Sequence, residues 1–119
     1  MQIIHLKAVP LFEAPDGSTI REVASPGAGG LERHSLAHIT IPAGGTVPLH
    51  YHKVMEEVYH VLSGKAQMHL DGAESLIAES DTVRILPGQV HGLTADAGEP
   101  LVMLVSCAPA WSPDDQFPA

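Results

Sequence analysis

The sequence predicts an all-β fold, a sandwich or barrel of short strands, and three observations support that reading. Eleven glycines and ten prolines recur at short intervals along 119 residues, so hardly any stretch of a dozen residues can hold an unbroken helix. Between these breaks apolar residues alternate with polar ones: Ala37, Ile39 and Ile41 against Leu36, His38 and Thr40, and Ala66, Met68 and Leu70 against Gln67, His69 and Asp71. A period of two is expected of strands with one buried face. The spacing of an amphipathic helix occurs nowhere. In order, the candidate strands are 3–6, which precedes Pro10; 19–23, between Gly17 and Pro26; and 33–41, between Gly30 and Pro42. They continue with 57–62, stopped by Gly64; 66–71, between Gly64 and Gly72; 75–78, after Gly72; and 82–86, stopped by Pro87. The last two are 91–94, after the Pro87-Gly88 turn, and 101–107, the apolar run between Pro100 and Pro109. Nine short strands in one chain point to a sandwich or barrel. Residues 108–119 hold three prolines and read as an extended tail to a single domain over 1–119.

Size and charge narrow the function classes. A chain of 12.6 kDa buries roughly 65% of the surface its unfolded form exposes, enough to be stable without a metal or disulfide staple. Hydrophobic residues make up 45% and the mean hydropathy is +0.10, which excludes a disordered chain. The longest apolar runs, such as 101–105, are too short to span a bilayer. Fourteen acidic side chains against six basic ones leave a net charge of −8, so no basic stripe is available to follow nucleic acid or an anionic membrane. Cys107 stands alone, and the opening Met-Gln-Ile-Ile-His-Leu-Lys lacks the regions of a signal peptide. The expectation is therefore a cytoplasmic protein.

The chemistry is concentrated between Gly44 and His91. His50 and His52 are two apart, so on a strand both imidazoles leave one face while Tyr51 leaves the other. After a short loop Glu57 opens the strand 57–62, and an antiparallel pairing would return it opposite the two histidines. His91, behind Pro87-Gly88, is the candidate fourth ligand. Three imidazoles and a carboxylate suit one divalent transition ion of the Mn, Fe, Co, Ni, Cu and Zn series better than Mg or Ca, and octahedral geometry leaves two positions open. The alternative for His50, His52 and Glu57 is a solvated polar hairpin edge, and for His91 a turn cap. Glu56, of opposite parity to Glu57, reads as a surface charge.

These residues carry a family resemblance. Gly44-x5-His50-x-His52-x4-Glu57-x6-Gly64 matches, spacing for spacing, the first signature of the cupins. The second signature, Gly-x5-Pro-x-Gly-x2-His-x3-Asn, is kept at Gly88 and His91, with Ser80, Leu86 and Ala95 at its first Gly, Pro and Asn positions. The run 56–64 and the ending 107–115 resemble small single-domain cupins often labelled mannose-6-phosphate-isomerase-like. The resemblance implies a double-stranded β-helix, or jelly-roll barrel, with His50, His52, Glu57 and His91 holding the metal inside its mouth. It fixes no reaction, since cupins include dioxygenases, decarboxylases, isomerases, cyclases and plain binding proteins.

Tyr59 and Val61 share the parity of Glu57 and should line the same interior, so Tyr59 is either cavity wall or a hydroxyl within reach of a ligand, the candidate catalytic group. His60 has the opposite parity and reads as a packing or subunit-interface histidine. His38 reads as structural, with a part beside the metal as the alternative. Cys107 reads as a small buried hydrophobe. No nucleophile elbow, phosphate loop or dinucleotide fingerprint occurs, so any catalysis runs through the metal. The leading expectation is a metal-dependent oxygenase, isomerase or decarboxylase acting on a small oxygen-rich molecule. The alternative is a non-catalytic binding protein for a small sugar or organic acid. The cavity is expected to take nothing larger than a monosaccharide, and a homodimer is expected, with the tail over the partner or the barrel mouth and Trp111 and Phe117 set in a groove.

Overall fold

Punctuation by glycine and proline yields eleven strands. In the computed structural model, which describes residues 1–119, these are β1 (Phe12–Glu13), β2 (Thr19–Ala24), β3 (Ser35–Ile41), β4 (Thr46–Tyr51), β5 (Glu56–Ser63), β6 (Lys65–Leu70), β7 (Ala73–Ala78), β8 (Thr82–Ile85), β9 (His91–Ala95), β10 (Leu101–Ala108) and β11 (Phe117–Pro118). They form two sheets, in the orders β1-β2-β3-β10-β5-β8 and β11-β4-β9-β6-β7. Every pairing is antiparallel. The only helical turns are Leu6–Ala8 and Pro113–Asp115, and no helix is long and apolar enough to cross a membrane.

Alternation sets what lies between the sheets. On β10 Leu101, Met103, Val105 and Cys107 are buried, and on β5 Glu57, Tyr59 and Val61 are. Except for Glu57, they pack with Ile41, Ala66, Met68, Ile85, Leu93 and Ala95 into one core. The intervening residues face outward. His38 and His60 both stand opposite Leu104 across the ladder, on the far side of the sheet from the interior. His60 Nδ1 lies 2.8 Å from Thr82 Oγ1, and neither histidine reaches the cluster of His50, His52, Glu57 and His91.

Two sequence expectations require correction. Residues 3–6 form no strand, because β1 occupies the edge of β2 and the N-terminal segment lies over β2 instead, where the Arg21 guanidinium donates to the Val9 carbonyl at 2.6 Å. The strand β4 is not among the nine candidate strands, although the shared face of His50 and His52 presupposes a strand there, and Pro48 sits in its middle. It is tolerated because the β4–β9 register shifts between Val47 and His50, where no ladder bond needs its missing N–H. Consequently Glu57 does not pair beside the histidines: β4 and β5 belong to different sheets, and the carboxylate approaches from the facing sheet.

Two positions of the family signatures have a visible cause. A Cβ on Gly64, at φ 85°, would stand 2.3 Å from the Pro100 carbonyl oxygen. Ser80 adopts φ 73° where the second signature has glycine. The left-handed region costs an L residue roughly 1–2 kcal/mol, of which the flexibility of unfolded glycine takes back roughly 0.5–1 kcal/mol. Ser80→Gly is therefore expected to raise the melting temperature by roughly 2–4 °C, read by calorimetry.

Candidate metal centre

Three strands and one short loop build the site. β4 delivers His50, the residue just past its end is His52, and β9 delivers His91 directly opposite His50 in the ladder. A Cβ on Gly92 would lie 2.6 Å from the Val47 carbonyl, so glycine beside His91 lets β4 approach and shift register there. From the facing sheet Glu57 Oε1 comes within 3.3 Å of His52 Nε2 and 3.0 Å of His91 Nε2. The ring centroids of His50 and His91 are 4.2 Å apart. One donor atom from each of His50, His52, Glu57 and His91 lies within 4.8 Å of the others. His52, Glu57 and His91 are buried and His50 half-buried, whereas Glu56 is exposed.

The backbone decides which nitrogen faces inward. The Nδ1 atoms of His50, His52 and His91 lie 2.8, 2.7 and 2.8 Å from the carbonyls of Pro48, Asp115 and Gln89. A carbonyl only accepts, so each Nδ1 carries the proton and each neutral ring presents its Nε2 lone pair inward. Three lone pairs and a carboxylate facing one another repel unless a cation joins them. Donors about 2.1 Å from one ion are at most about 4.2 Å apart, so the cluster closes on an ion with side-chain shifts of a few tenths of an ångström. The residues thus fit a transition ion.

Without a metal, protons fill that role. Burial alone would push the Glu57 carboxyl up, but hydrogen bonds from His52 and His91 outweigh it and hold the pKa at about 2, against an ordinary 4.5. Burial pulls His52 down, yet its bonds to Glu57 and the Asp115 carbonyl leave it above 6.5. His50 is held below 6.5, chiefly by burial. The depressed Glu57 stabilises the fold fully above 4.5 and loses this as pH falls toward about 2. The raised His52 stabilises fully below 6.5 and loses this as pH rises through its folded pKa, while His50 subtracts below 6.5. Chelator-treated protein is therefore expected to melt highest between pH 4.5 and 6.5. Added metal should shift that maximum to higher pH, because the ion displaces protons. Melting curves with and without metal check both expectations.

The tail, expected to lie over a partner or the barrel mouth, grips the site itself. The Asp115 carboxylate accepts from the backbone N–H groups of Lys53, Val54 and Met55 at 2.7–3.2 Å, while its carbonyl accepts from His52. It thus fastens the loop between His52 and Glu57. β11 then pairs with β4, with Phe117 opposite Tyr51 and its ring 5.4 Å away, and Lys53 Nζ above Phe117. The Gly88 N–H donates to the His52 carbonyl at 2.6 Å, tying the turn before His91 to the same point. Leu86, where the signature has proline, keeps an N–H that Gln89 Oε1 accepts at 2.8 Å. Sequence reasoning missed Asp115 and, although it read Cys107 as a buried hydrophobe, missed that its thiol donates to Glu57 Oε2 at 3.3 Å. Cys107 continues the parity of Leu101, Met103 and Val105 and stands opposite Glu57 in the β10–β5 ladder. Nothing local in the sequence links Asp115 to residues 53–55.

His50 and Glu57 of the cluster line a cavity of about 730 Å³, together with Tyr59, Ile39, Val47, Met103 and Val105 and the exposed rings of Phe12 and Trp111. Trp111 is held by its indole N–H to Gln116 and by its backbone N–H to Ser35 Oγ, both at 2.9 Å. The volume lies within the range of about 300–1,000 Å³ that holds drug-sized ligands, more room than the expectation of a ligand no larger than a monosaccharide allowed for. Residues of β1, β2 and the N-terminal segment, Phe12, Ile20 and Val9 among them, add to the cavity's lining.

A family model described as a cupin domain matches residues 37–107. The chain is 34% identical over 100 residues to an uncharacterized protein of Methanocaldococcus jannaschii, covering 84% of this chain and 80% of that protein. It is 36% identical over 74 residues to quercetin 2,3-dioxygenase of Bacillus subtilis, covering 60% of this chain but 22% of the dioxygenase. A polyketide cyclase of Streptomyces resistomycificus superposes with a TM-score of 0.80 at 22% identity, over 91% of this chain and 79% of the cyclase.

Proposed function

Since this chain belongs to the cupin family, we propose that it is a metal-dependent enzyme acting on a small oxygen-bearing molecule bound at His50, His52, Glu57 and His91. The observation that carries this is the convergence of three backbone-fixed imidazoles and one carboxylate beside a cavity that His50 and Glu57 line and that is large enough for a substrate. A divalent ion of the Mn, Fe, Co, Ni, Cu and Zn series would supply Lewis-acid polarisation of a bound oxygen or, with a redox-active metal, access to dioxygen chemistry. The chain's residues do the rest. Cys107 holds Glu57 Oε2, and the apolar walls exclude water. Tyr59 is the catalytic candidate: burial, followed by the neighbouring Glu57 charge, pushes its pKa well up, so its hydroxyl stays protonated and is a donor to a bound oxygen.

Tyr59→Phe is expected to leave metal uptake unchanged and to weaken binding of tropolone, a small anionic chelator, by roughly 10–100-fold, the worth of one hydrogen bond to a charged group. Titration calorimetry reads both. The enzyme reading is tested by incubating Fe-, Mn-, Ni- and Zn-loaded protein with phenols, hydroxyketones, sugar acids and dicarboxylates and following products by mass spectrometry. Turnover that disappears in His52→Ala supports it. Binding without turnover on any loaded form favours the second reading, a non-catalytic binding protein, for which the scarcity of other acid–base groups near the cluster speaks. A two-fold homodimer is proposed alongside, since β7 leaves an open edge with Leu76 exposed. A monomer by sedimentation at micromolar concentration would contradict it.

A further inference from the structure

The cavity has a marked charge pattern. None of the six lysines and arginines lines it, whereas the acidic Glu57, Asp16 and Glu22 do. Arg21, the cation of β2, is turned outward and engaged by the Val9 carbonyl, Lys53 lies over Phe117, and Arg84 stands opposite Val58, on the outer face of its sheet. A divalent ion with ionised Glu57 leaves a net charge of one positive unit. A ligand that binds with one negative charge neutralises it. A dianion, or a carboxylate held away from the metal, leaves an uncompensated charge among apolar side chains beside two further carboxylates, which is costly.

Resting on the metal-centre reading above, we infer that the cavity selects an uncharged, largely apolar molecule of fused-ring size that gives up no more than one proton on binding. An enol, an α-hydroxyketone or a catechol meets this description; a sugar acid or a dicarboxylate does not. The walls suit such a molecule: Ile39, Met103 and Val105 contact apolar faces, and the exposed Trp111 and Phe12 offer rings to a flat ligand. The volume of about 730 Å³ accommodates several fused rings, whereas a molecule as small as oxalate would contact only the cluster.

The test uses full-length zinc-loaded protein and titration calorimetry with four probes: tropolone, alizarin, oxalate and galacturonate. Alizarin is expected to bind more than about tenfold tighter than oxalate, whose second negative charge has no partner, or galacturonate, whose ring hydroxyls lose water against apolar walls that offer few hydrogen bonds. Metal-free protein should lose most of the alizarin affinity. Ala37→Trp, which places a ring inside the cavity, is expected to weaken alizarin by at least about tenfold while sparing tropolone and zinc uptake; Ile39→Phe serves the same end if that variant fails to fold. Oxalate or galacturonate binding as tightly as alizarin overturns the inference while leaving the metal centre intact. So does alizarin affinity that neither variant changes. A wild-type protein that takes up no zinc and no other transition ion overturns the metal-centre reading and, with it, this inference.

Discussion

His52→Ala is expected to reduce metal affinity by more than the 10–100-fold that loss of an outer-sphere partner costs, to about 10³-fold or beyond. His52 is buried, provides an inward Nε2, and links the site to the tail through the Asp115 carbonyl. Its removal deletes a donor and leaves Glu57 buried with one imidazole fewer, a loss of about 3 kcal/mol in the metal-free protein. His91→Ala should behave alike, since His91 Nε2 makes the shorter contact to Glu57. His38→Ala and His60→Ala, on the outer face of their sheet, should leave uptake unchanged. Competition titration with a coloured chelator reads all four. An outer-face variant that loses as much metal as His52→Ala would contradict the assignment.

Deleting residues 109–119 is expected to weaken metal binding by roughly 10–100-fold, as other losses of groups that orient a ligand do, and to lower the melting temperature by several degrees. The deletion removes the carbonyl that holds His52 Nδ1 and the carboxylate that accepts from Lys53, Val54 and Met55. It also removes the β11–β4 pairing. Charge-assisted bonds to backbone N–H groups are among the stronger ones, so Asp115→Ala should reproduce part of both effects, while Asp114→Ala, whose side chain makes no comparable contacts with the loop, should not. Calorimetry and the same chelator titration check this. A truncated chain that kept its affinity and its stability would show the tail to be passive.

These two variants also mark where sequence reading succeeds and where it stops. The His50–His52 spacing dictates a shared face in any strand, and the burial of alternating residues on β5 and β10 follows from the same period of two. Local parity therefore placed Glu57 and Tyr59 inside and left Glu56 and His60 outside. The partner of Glu57 was misjudged because parity says nothing about which sheet a strand joins, and the shift at Pro48 that admits β4 depends on β9, forty residues away in the chain. Residues 3–6 look like a strand by composition but find β2 already paired. Asp115 acts on a loop that lies sixty residues earlier, and the cavity draws part of its lining from β1 and β2, far in the chain from the cluster. Such long-range relations have no local period to reveal them.

X-ray absorption spectroscopy of the zinc-loaded protein at neutral pH tests the central claim most directly. The expected first shell has nitrogen and oxygen donors only, at about 2.0–2.2 Å, with the outer-ring scattering of three imidazoles. A first shell with a sulfur donor at about 2.3 Å, as Cys107 would give, or with fewer than two imidazoles, would contradict a centre built from His50, His52, Glu57 and His91.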